Sequence, residues 1–414
     1  MLPVEGSRRQ VLASMAIGAG LTHQGIAAAT GPRRDMWDVV RASYLPQNPL
    51  VNLNNAGVSP QPIPVQDAFF AATRFANGEP DVNMWEVLDS KREHTKAKLA
   101  AMLDCDPADL VLNRNSTEGL CTAIYGIDLN PGDEVLVSPW DYDSMKEAWA
   151  LRARRHGIVI AQAGFDPMAD DDAIFAAYRA AITPRTRVMQ LTHMNNVTGR
   201  VIPVAQLCEL ARSNGIRTIV DAAQSFAQMP ISIRELGCDY FAASLHKWLC
   251  APFGTGLLYV RKEHHETIWP LVAPLSGDTG GLARIDGWNL GTYASPAEAA
   301  IDSAIDFHNA IGTKVIHARL QWLSRYWIEK ASNLNSFRLH TPVDSPHLSA
   351  LALFSLEGQD PQAVERRLRD EFGVRVRYRK RDGLEGLRVS PHIYTSTEDL
   401  DRLIKGIVRI AGRT

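Results

Sequence analysis

The sequence predicts an α/β protein, with a large domain built on a mostly parallel central sheet and a smaller C-terminal α/β domain. Three observations predict this. Short, wholly apolar runs bounded by turn residues recur along the chain, helical patterns alternate with them, and no internal repeat, low-complexity tract or long Pro/Ser linker interrupts the alternation. Runs without polar alternation read as strands buried on both faces, the condition of a parallel sheet covered by helices.

The first thirty residues are of a different material. Arg8 and Arg9 precede an uncharged stretch from Val11 to Thr30 that closes in Ala27-Ala28-Ala29, a pattern that looks like a twin-arginine export signal. The stretch is rich in Gly and Ala, and His23 and Gln24 interrupt it, so cleavage is expected rather than a stable membrane anchor. The translocase would be a partner during export, and the mature protein would be periplasmic. The alternative is a disordered tail with a chance Arg pair.

Residues 31–295 carry the N-terminal segment and the large domain. The expected strands are Leu110 to Leu112, Glu134 to Ser138, Ile158 to Ala161, Val188 to Thr192, Thr218 to Val220, Tyr240 to Ala243 and Gly256 to Val260. Helical patterns lie between them, as at Asp172 to Ala181 and Val204 to Arg212. A break follows at Gly277 to Gly281. Residues 296–414 form the smaller domain: a long helical pattern from Pro296 to Leu334, then Leu351 to Leu356, Asp360 to Phe372, Val374 to Tyr378, Leu387 to Ser390 and Thr397 to Ala411 in alternation.

Composition excludes some functions. A formal net charge of -2 over 414 residues, with no Lys/Arg cluster that stands out as a binding surface, gives no electrostatic case for nucleic acid. Five cysteines, at 105, 121, 208, 238 and 250, show neither ligand spacing nor a disulfide framework, so no metal site is expected and they read as buried apolar residues.

In open α/β sheets ligands collect at the carboxyl ends of the strands. Two expected strands end in reactive groups: Asp221-Ala222-Ala223-Gln224 and Ser244-Leu245-His246-Lys247. A lysine that forms a Schiff base with pyridoxal phosphate needs a fixed, partly desolvated strand-end position, and the cofactor's pyridine nitrogen needs a carboxylate to stay protonated as an electron sink. Lys247 and Asp221 could supply both. Asn115-Ser116-Thr117-Glu118-Gly119 follows a strand and opens an apolar helix, where backbone amides and two hydroxyls favour an anion such as the cofactor's phosphate. The same residues also read as a plain capping box.

These motifs, together with Leu53-Asn54-Asn55-Ala56-Gly57 and Thr192-His193-Met194-Asn195-Asn196-Val197-Thr198-Gly199, occur in the order seen in class V pyridoxal-phosphate-dependent aminotransferases. The chain resembles that family over nearly all of its expected mature length. His246-Lys247-Trp248-Leu249 with Gly254-Thr255-Gly256-Leu257 is most similar to the branch named for isopenicillin N epimerase. The resemblance implies fold type I of the pyridoxal-phosphate-dependent transferases and pyridoxal 5'-phosphate as cofactor. It implies that Lys247 carries the cofactor and later moves the Cα proton, that Asp221 pairs with the pyridinium nitrogen, and that Gln224 and Asn196 bond the cofactor's O3′. Tyr142 would lie over the ring, and Ser116, Thr117, Ser244 and His246 would hold the phosphate. Thr292 would reach the phosphate of a neighbouring subunit in a homodimer. Arg388, with Asn54, would take the substrate's carboxylate through a two-pronged contact. Further arginines at 375, 377, 379 and 381 could widen the site's appetite for carboxylates or simply face solvent.

The chemistry after cofactor loading stays open between transamination, epimerisation and elimination including C–S lysis. Cysteine desulfurases of the class need a mobile cysteine in the small domain, and no cysteine follows Cys250. The reading is an aminotransferase-type reaction on an amino acid or peptide-bound amino acid in the periplasm, such as maturation of a secreted peptide of the siderophore kind. The non-enzyme alternative is a cofactor-binding protein without turnover.

Overall fold

The protein is described by a computed structural model over residues 35–46, 50–275, 280–343 and 347–412. After a helix at Met36–Ala42 the chain makes a two-residue strand, β1 (Val51–Asn52). The large domain follows with β2 (Leu110–Asn113), β3 (Glu134–Val137), β4 (Val159–Gln162), β5 (Thr186–Thr192), β6 (Arg217–Asp221), β7 (Tyr240–Ser244) and β8 (Gly256–Val260). They form one sheet in the order β2-β8-β7-β6-β5-β3-β4, with β8 antiparallel to both neighbours and every other pair parallel.

The expected strands and the mostly parallel sheet are present. Apolar clusters cover both faces, Met189, Leu191, Val220 and Phe241 belonging to one and Val135, Val188, Ile219 and Tyr240 to the other. The least covered strand is β4, at one edge of the sheet, where Val159 is 41% exposed, whereas β2 at the other edge is buried throughout. Close packing of helix on sheet favours Gly119 in the helix Ser116–Gly126: a Cβ there would lie 2.8 Å from the Asn113 amide, closer than real contacts come, and a tight 3.1 Å from Ala242 Cβ.

Beyond the large domain the expected single helix from Pro296 to Leu334 is three helices, Ser295–Ala299, Ile301–Ile311 and Thr313–Ala331. Gly312 makes the second break with φ +92, a left-handed conformation that ends one helix and redirects the chain into the next. The small domain then holds β9 (Phe337–Leu339), β10 (Ala352–Leu356), β11 (Val374–Arg375), β12 (Arg377–Arg381) and β13 (Leu384–Val389), with helices Pro361–Phe372 and Thr397–Ala411. Four of its strands pair antiparallel in the order β12-β13-β10-β9. The run expected as one strand over Val374 to Tyr378 is divided, because β11 pairs in parallel with β1 while β12 joins β13. The helix Thr397–Ala411 has the expected bounds and opens on a reciprocal capping box between Ser396 and Asp399.

Two sets of contacts lock the domains together. Ser390 N donates to Leu53 O at 2.8 Å, and Asn55 Nδ2 donates to Ser390 O at 2.9 Å. Gly199, at φ +76, brings its backbone against the small domain, and its carbonyl accepts from Ser349 Oγ at 3.1 Å. The export signal expected over residues 1–30 lies outside the described residues. Among the described residues no helix is long and apolar enough to cross a membrane.

Candidate active site

The parallel strands end along one edge of the sheet, and Thr192, Asp221 and Ser244 are the last residues of β5, β6 and β7. They open onto a cavity of about 200 Å³ that Lys247, Asp221, Gln224, Asn196, Ser116, Thr117, Tyr142, Ser244 and His246 all line. Nine of the twelve candidate residues thus converge on one space. Arg388 and Asn54 lie just behind its wall, and Thr292 stands apart.

Lys247 follows β7 in a tight turn. Leu245 N donates to Thr255 O at 3.0 Å, Ala251 N to Leu245 O at 3.1 Å, and Cys250 takes a left-handed φ of 58 to close the loop. The amine therefore projects from rigid backbone into the cavity. Burial is the main force on it and lowers its pKa to about 8; the Asp221 carboxylate pulls upward, and Arg388 and Arg379 push further down. Asp221 is 5% exposed, and its Oδ1 accepts from Ala223 N at 2.9 Å. Burial raises its pKa, while that hydrogen bond and the Lys247 charge oppose the rise.

The helix Ser116–Gly126 opens at the cavity, and the capping part of its sequence reading is present. Asn115 caps the helix, accepting from Glu118 N at 2.9 Å, so the cap does not consume the next two hydroxyls. Ser116 N donates to Ser244 Oγ at 3.0 Å, and the two serine hydroxyls lie 2.9 Å apart. Thr117 also lines the cavity, and its hydroxyl has no hydrogen-bond partner among the described residues. His246 Nδ1 donates to Thr255 O at 3.1 Å, which leaves Nε2 for the cavity. Burial, and then the Lys247 charge, lower the His246 pKa, while its bond to the Thr255 carbonyl opposes the shift.

Two amides are held in fixed orientations. Gln224 Nε2 donates to Ala56 O at 2.9 Å and its Oε1 accepts from Trp248 Nε1 at 3.0 Å, leaving one N–H for a ligand. Asn196 Oδ1 accepts from Arg381 Nη1 at 3.1 Å, which turns its two N–H donors the other way. Tyr142 lines the cavity and is 42% exposed, as a ring waiting to cover a ligand would be.

Arg388 is 1% exposed. Its Nη1 donates to Asn196 O at 2.6 Å and its Nη2 to Asn54 Oδ1 at 2.9 Å, whereas Nε has no partner. Its pKa is pushed down, first by burial and then by the neighbouring cations Arg379 and Arg377. A buried guanidinium bound only by neutral oxygens is suited to an incoming carboxylate.

Sequence reading missed Arg381 as a site residue. It is buried, its Nη1 donates to Trp140 O at 3.1 Å and Asp141 O at 3.0 Å, and its Nη2 meets Asp143 Oδ2 at 2.8 Å. The guanidinium thus ties β12 to the large domain and orients Asn196, a role carried by residues distant in sequence. Asp141 was also missed: fully buried, it accepts from Thr192 Oγ1 at 2.6 Å and Ser138 N at 2.8 Å, and burial raises its pKa to about 7. Thr292 is exposed and lines a separate groove of about 570 Å³ with Trp85 and Leu275. Among the described residues no group of side chains could hold a metal ion.

With this geometry in hand, residues 51–403 match the family described as aminotransferase class-V. The chain is 30% identical over 398 residues to isopenicillin N epimerase of Streptomyces clavuligerus, covering 91% of this chain and 98% of that protein. It is 27% identical over 384 residues to a probable cysteine desulfurase of Halalkalibacterium halodurans, with 87% and 93% covered. The apo structure of a cysteine desulfurase from Thermococcus onnurineus NA1 superposes with a TM-score of 0.82 at 21% identity, covering 93% of this chain and all of that one, which confirms fold type I.

Proposed function

Because the chain belongs to the class-V aminotransferase family, whose enzymes use pyridoxal 5'-phosphate, we propose that it carries out an aminotransferase-type reaction at the Cα of an amino acid, free or within a peptide, in the periplasm. One observation carries the proposal: Lys247, an amine with a pKa of about 8, shares a polar cavity with the buried Asp221 carboxylate.

When bound, the cofactor withdraws electrons from the substrate's Cα and so makes the Cα proton removable. Lys247 would hold the cofactor covalently and, as a free amine, would take and return that proton. The Asp221 charge would keep the ring nitrogen protonated. Thr117, Ser116, Ser244 and His246 would hold the phosphate at the helix N-terminus, and Gln224 and Asn196 would donate to the ring oxygen. Arg388 would take the α-carboxylate in place of the Asn54 side-chain carbonyl. The residues fit the cofactor on their own chemistry: one amine, one opposed acid and one anion-favouring helix end meet in a single cavity.

The 30% identity to isopenicillin N epimerase supports a second reading, in which the proton returns to the opposite face and the amino group stays. The desulfurase reading lacks support in the site. No cysteine follows Cys250, and the Cys250 thiol is buried, engaged with Tyr44 and His392, and pushed up to about 12. A homodimer fits the surface around Thr292, where Trp85 is 56% and Leu275 71% exposed. Periplasmic placement rests on Arg8 and Arg9 and their small-residue stretch, and a substrate that matures outside the cytoplasm, such as a siderophore peptide, follows from it.

The experiment is to incubate the cofactor-loaded protein with amino donors in deuterated water and follow keto-acid release, Cα exchange and stereochemistry together. Keto-acid release supports the proposal, and exchange with inversion alone replaces it with epimerisation. Lys247→Ala should abolish every one of these signals. Loaded protein that shows none of them with any donor would be a cofactor-binding protein without turnover.

A further inference from the structure

Strand β12 spells Arg377-Tyr378-Arg379-Lys380-Arg381 and pairs antiparallel with β13, Arg377 opposite Arg388, Arg379 opposite Gly386 and Arg381 opposite Leu384. Residues two apart on a strand share a face, as do residues opposed across a ladder. Arg377, Arg379, Arg381 and Arg388 therefore leave one face of the small domain's sheet together. Like charges opposed across a ladder repel, so such a row lowers stability unless anions offset it.

The protein offsets only part of it. Arg381 has Asp143 and three oxygens, and Arg388 has two neutral oxygens. The Arg379 side chain forms no hydrogen bond or ion pair with any described residue, and its buried Nε has no partner. Of the nearby acids, Glu385 lies on the opposite face with Lys380 and Tyr378, and Glu365, which accepts from Tyr378 N at 3.1 Å, acts on Arg379 through its charge alone, without a hydrogen bond or ion pair to it. Gly386, opposite Arg379, offers no side chain to compete for the space. Arg379 leaves the same sheet face as Arg388, its diagonal neighbour, whose guanidinium bonds the Asn196 carbonyl and Asn54 beside the cavity, and its charge bears on both Lys247 and Arg388.

We propose that Arg379 is a second anion subsite, so that the substrate is an amino acid with two carboxylates, the α-carboxylate on Arg388 and a side-chain carboxylate on Arg379. This rests on the reading of Arg388 given above. Diagonal neighbours across an antiparallel pair stand about 7–8 Å apart, a gap that two guanidinium forks close on a short dicarboxylate.

Binding of glutarate and of pentanoate, which lacks one carboxylate, to the cofactor-loaded protein tests this by calorimetry without any turnover. Glutarate should bind tighter by roughly ten- to hundredfold, the usual worth of a hydrogen bond to a charged group. Arg379→Gln should remove that preference and leave pentanoate unchanged, and Arg379→Lys should keep part of it. Equal binding of the two acids by the native protein, or equal weakening of both by Arg379→Gln, overturns the proposal. Arg388→Gln should weaken both acids alike. If it changes neither while Arg379→Gln still abolishes the preference, the carboxylate role of Arg388 falls and the anion subsite stands.

Discussion

Lys247 in the cofactor-free protein should titrate near pH 8 and not near the ordinary lysine value of 10.5. A shift of about 2.5 units corresponds to roughly 3 kcal/mol by which burial and two arginines disfavour the ammonium over the amine. At pH 7 the neutral amine is then about one molecule in ten, some 300-fold more than an unperturbed lysine offers. The rate of covalent cofactor capture, followed by absorbance in stopped flow, should rise tenfold per pH unit and level off near pH 8. Two variants test the causes with opposite signs. Asp221→Asn removes the charge that pulls the pKa up, so the break should move lower, while Arg388→Met removes a cation that pushes it down, so the break should move higher. A break near 10.5, or shifts of the same sign in both variants, would refute the reasoning. The linked stability follows the same sign: the unfolded chain binds more protons between pH 8 and 10.5, so this group's contribution to stability rises with pH across that window and is constant below it.

Arg381→Ala leaves the Asp141 carbonyl and Asn196 Oδ1 unpaired, weakens the pairing of the Trp140 carbonyl to Asn195 alone and cuts the tie to Asp143, and should cost about 3–5 kcal/mol in chemical denaturation, with weaker cofactor binding because Asn196 loses its orientation. Gly199→Ala forces a side chain onto φ +76 and into the Leu351 carbonyl oxygen, and should destabilise by more than 2 kcal/mol and lower the melting temperature without altering the cofactor's spectrum at low temperature. Replacing Arg8 and Arg9 with lysines should leave folded, cofactor-loaded protein in the cytoplasm on fractionation, and export at normal yield would rule out the twin-arginine reading.

The sheet was readable because its strands are apolar throughout, and the cavity because Lys247, Asp221, Ser116 and Thr117 lie within a few residues of a strand end. Gly256 to Val260 and Thr397 to Ala411 match their expected bounds, since a turn or a cap marks each end. What could not be read are features set by distant partners. Nothing local in Arg377-Tyr378-Arg379-Lys380-Arg381 distinguishes Arg381, which reaches the Trp140 carbonyl 241 positions away, from Lys380, which faces solvent. The division of Val374 to Tyr378 into two strands is likewise decided by β1, which no periodicity links to it. Asp141 resembled any strand-end acid until the fold brought Thr192 and Asp221 around it.

The pairing of β1 with β11, and of Asn55 with Ser390 across 335 positions, sets an order of assembly. Asn54 and Gly57, which complete the site beside Arg388 and Gln224, are held by a segment that leaves the ribosome close to the end of synthesis. Closing so long a loop is entropically slow, whereas the Gln224 to Ala56 contact closes a shorter one and every residue lining the cavity lies at or before Lys247. A nascent chain can therefore build the large sheet and the cavity lining early, yet it lacks Arg388 and the Arg381 that orients Asn196 until Val374 to Ser390 is free to fold back. Release truncated before Val374 should give a protein that retains sheet structure but binds cofactor more weakly than the full chain. Completion of the site then reports completion of the chain.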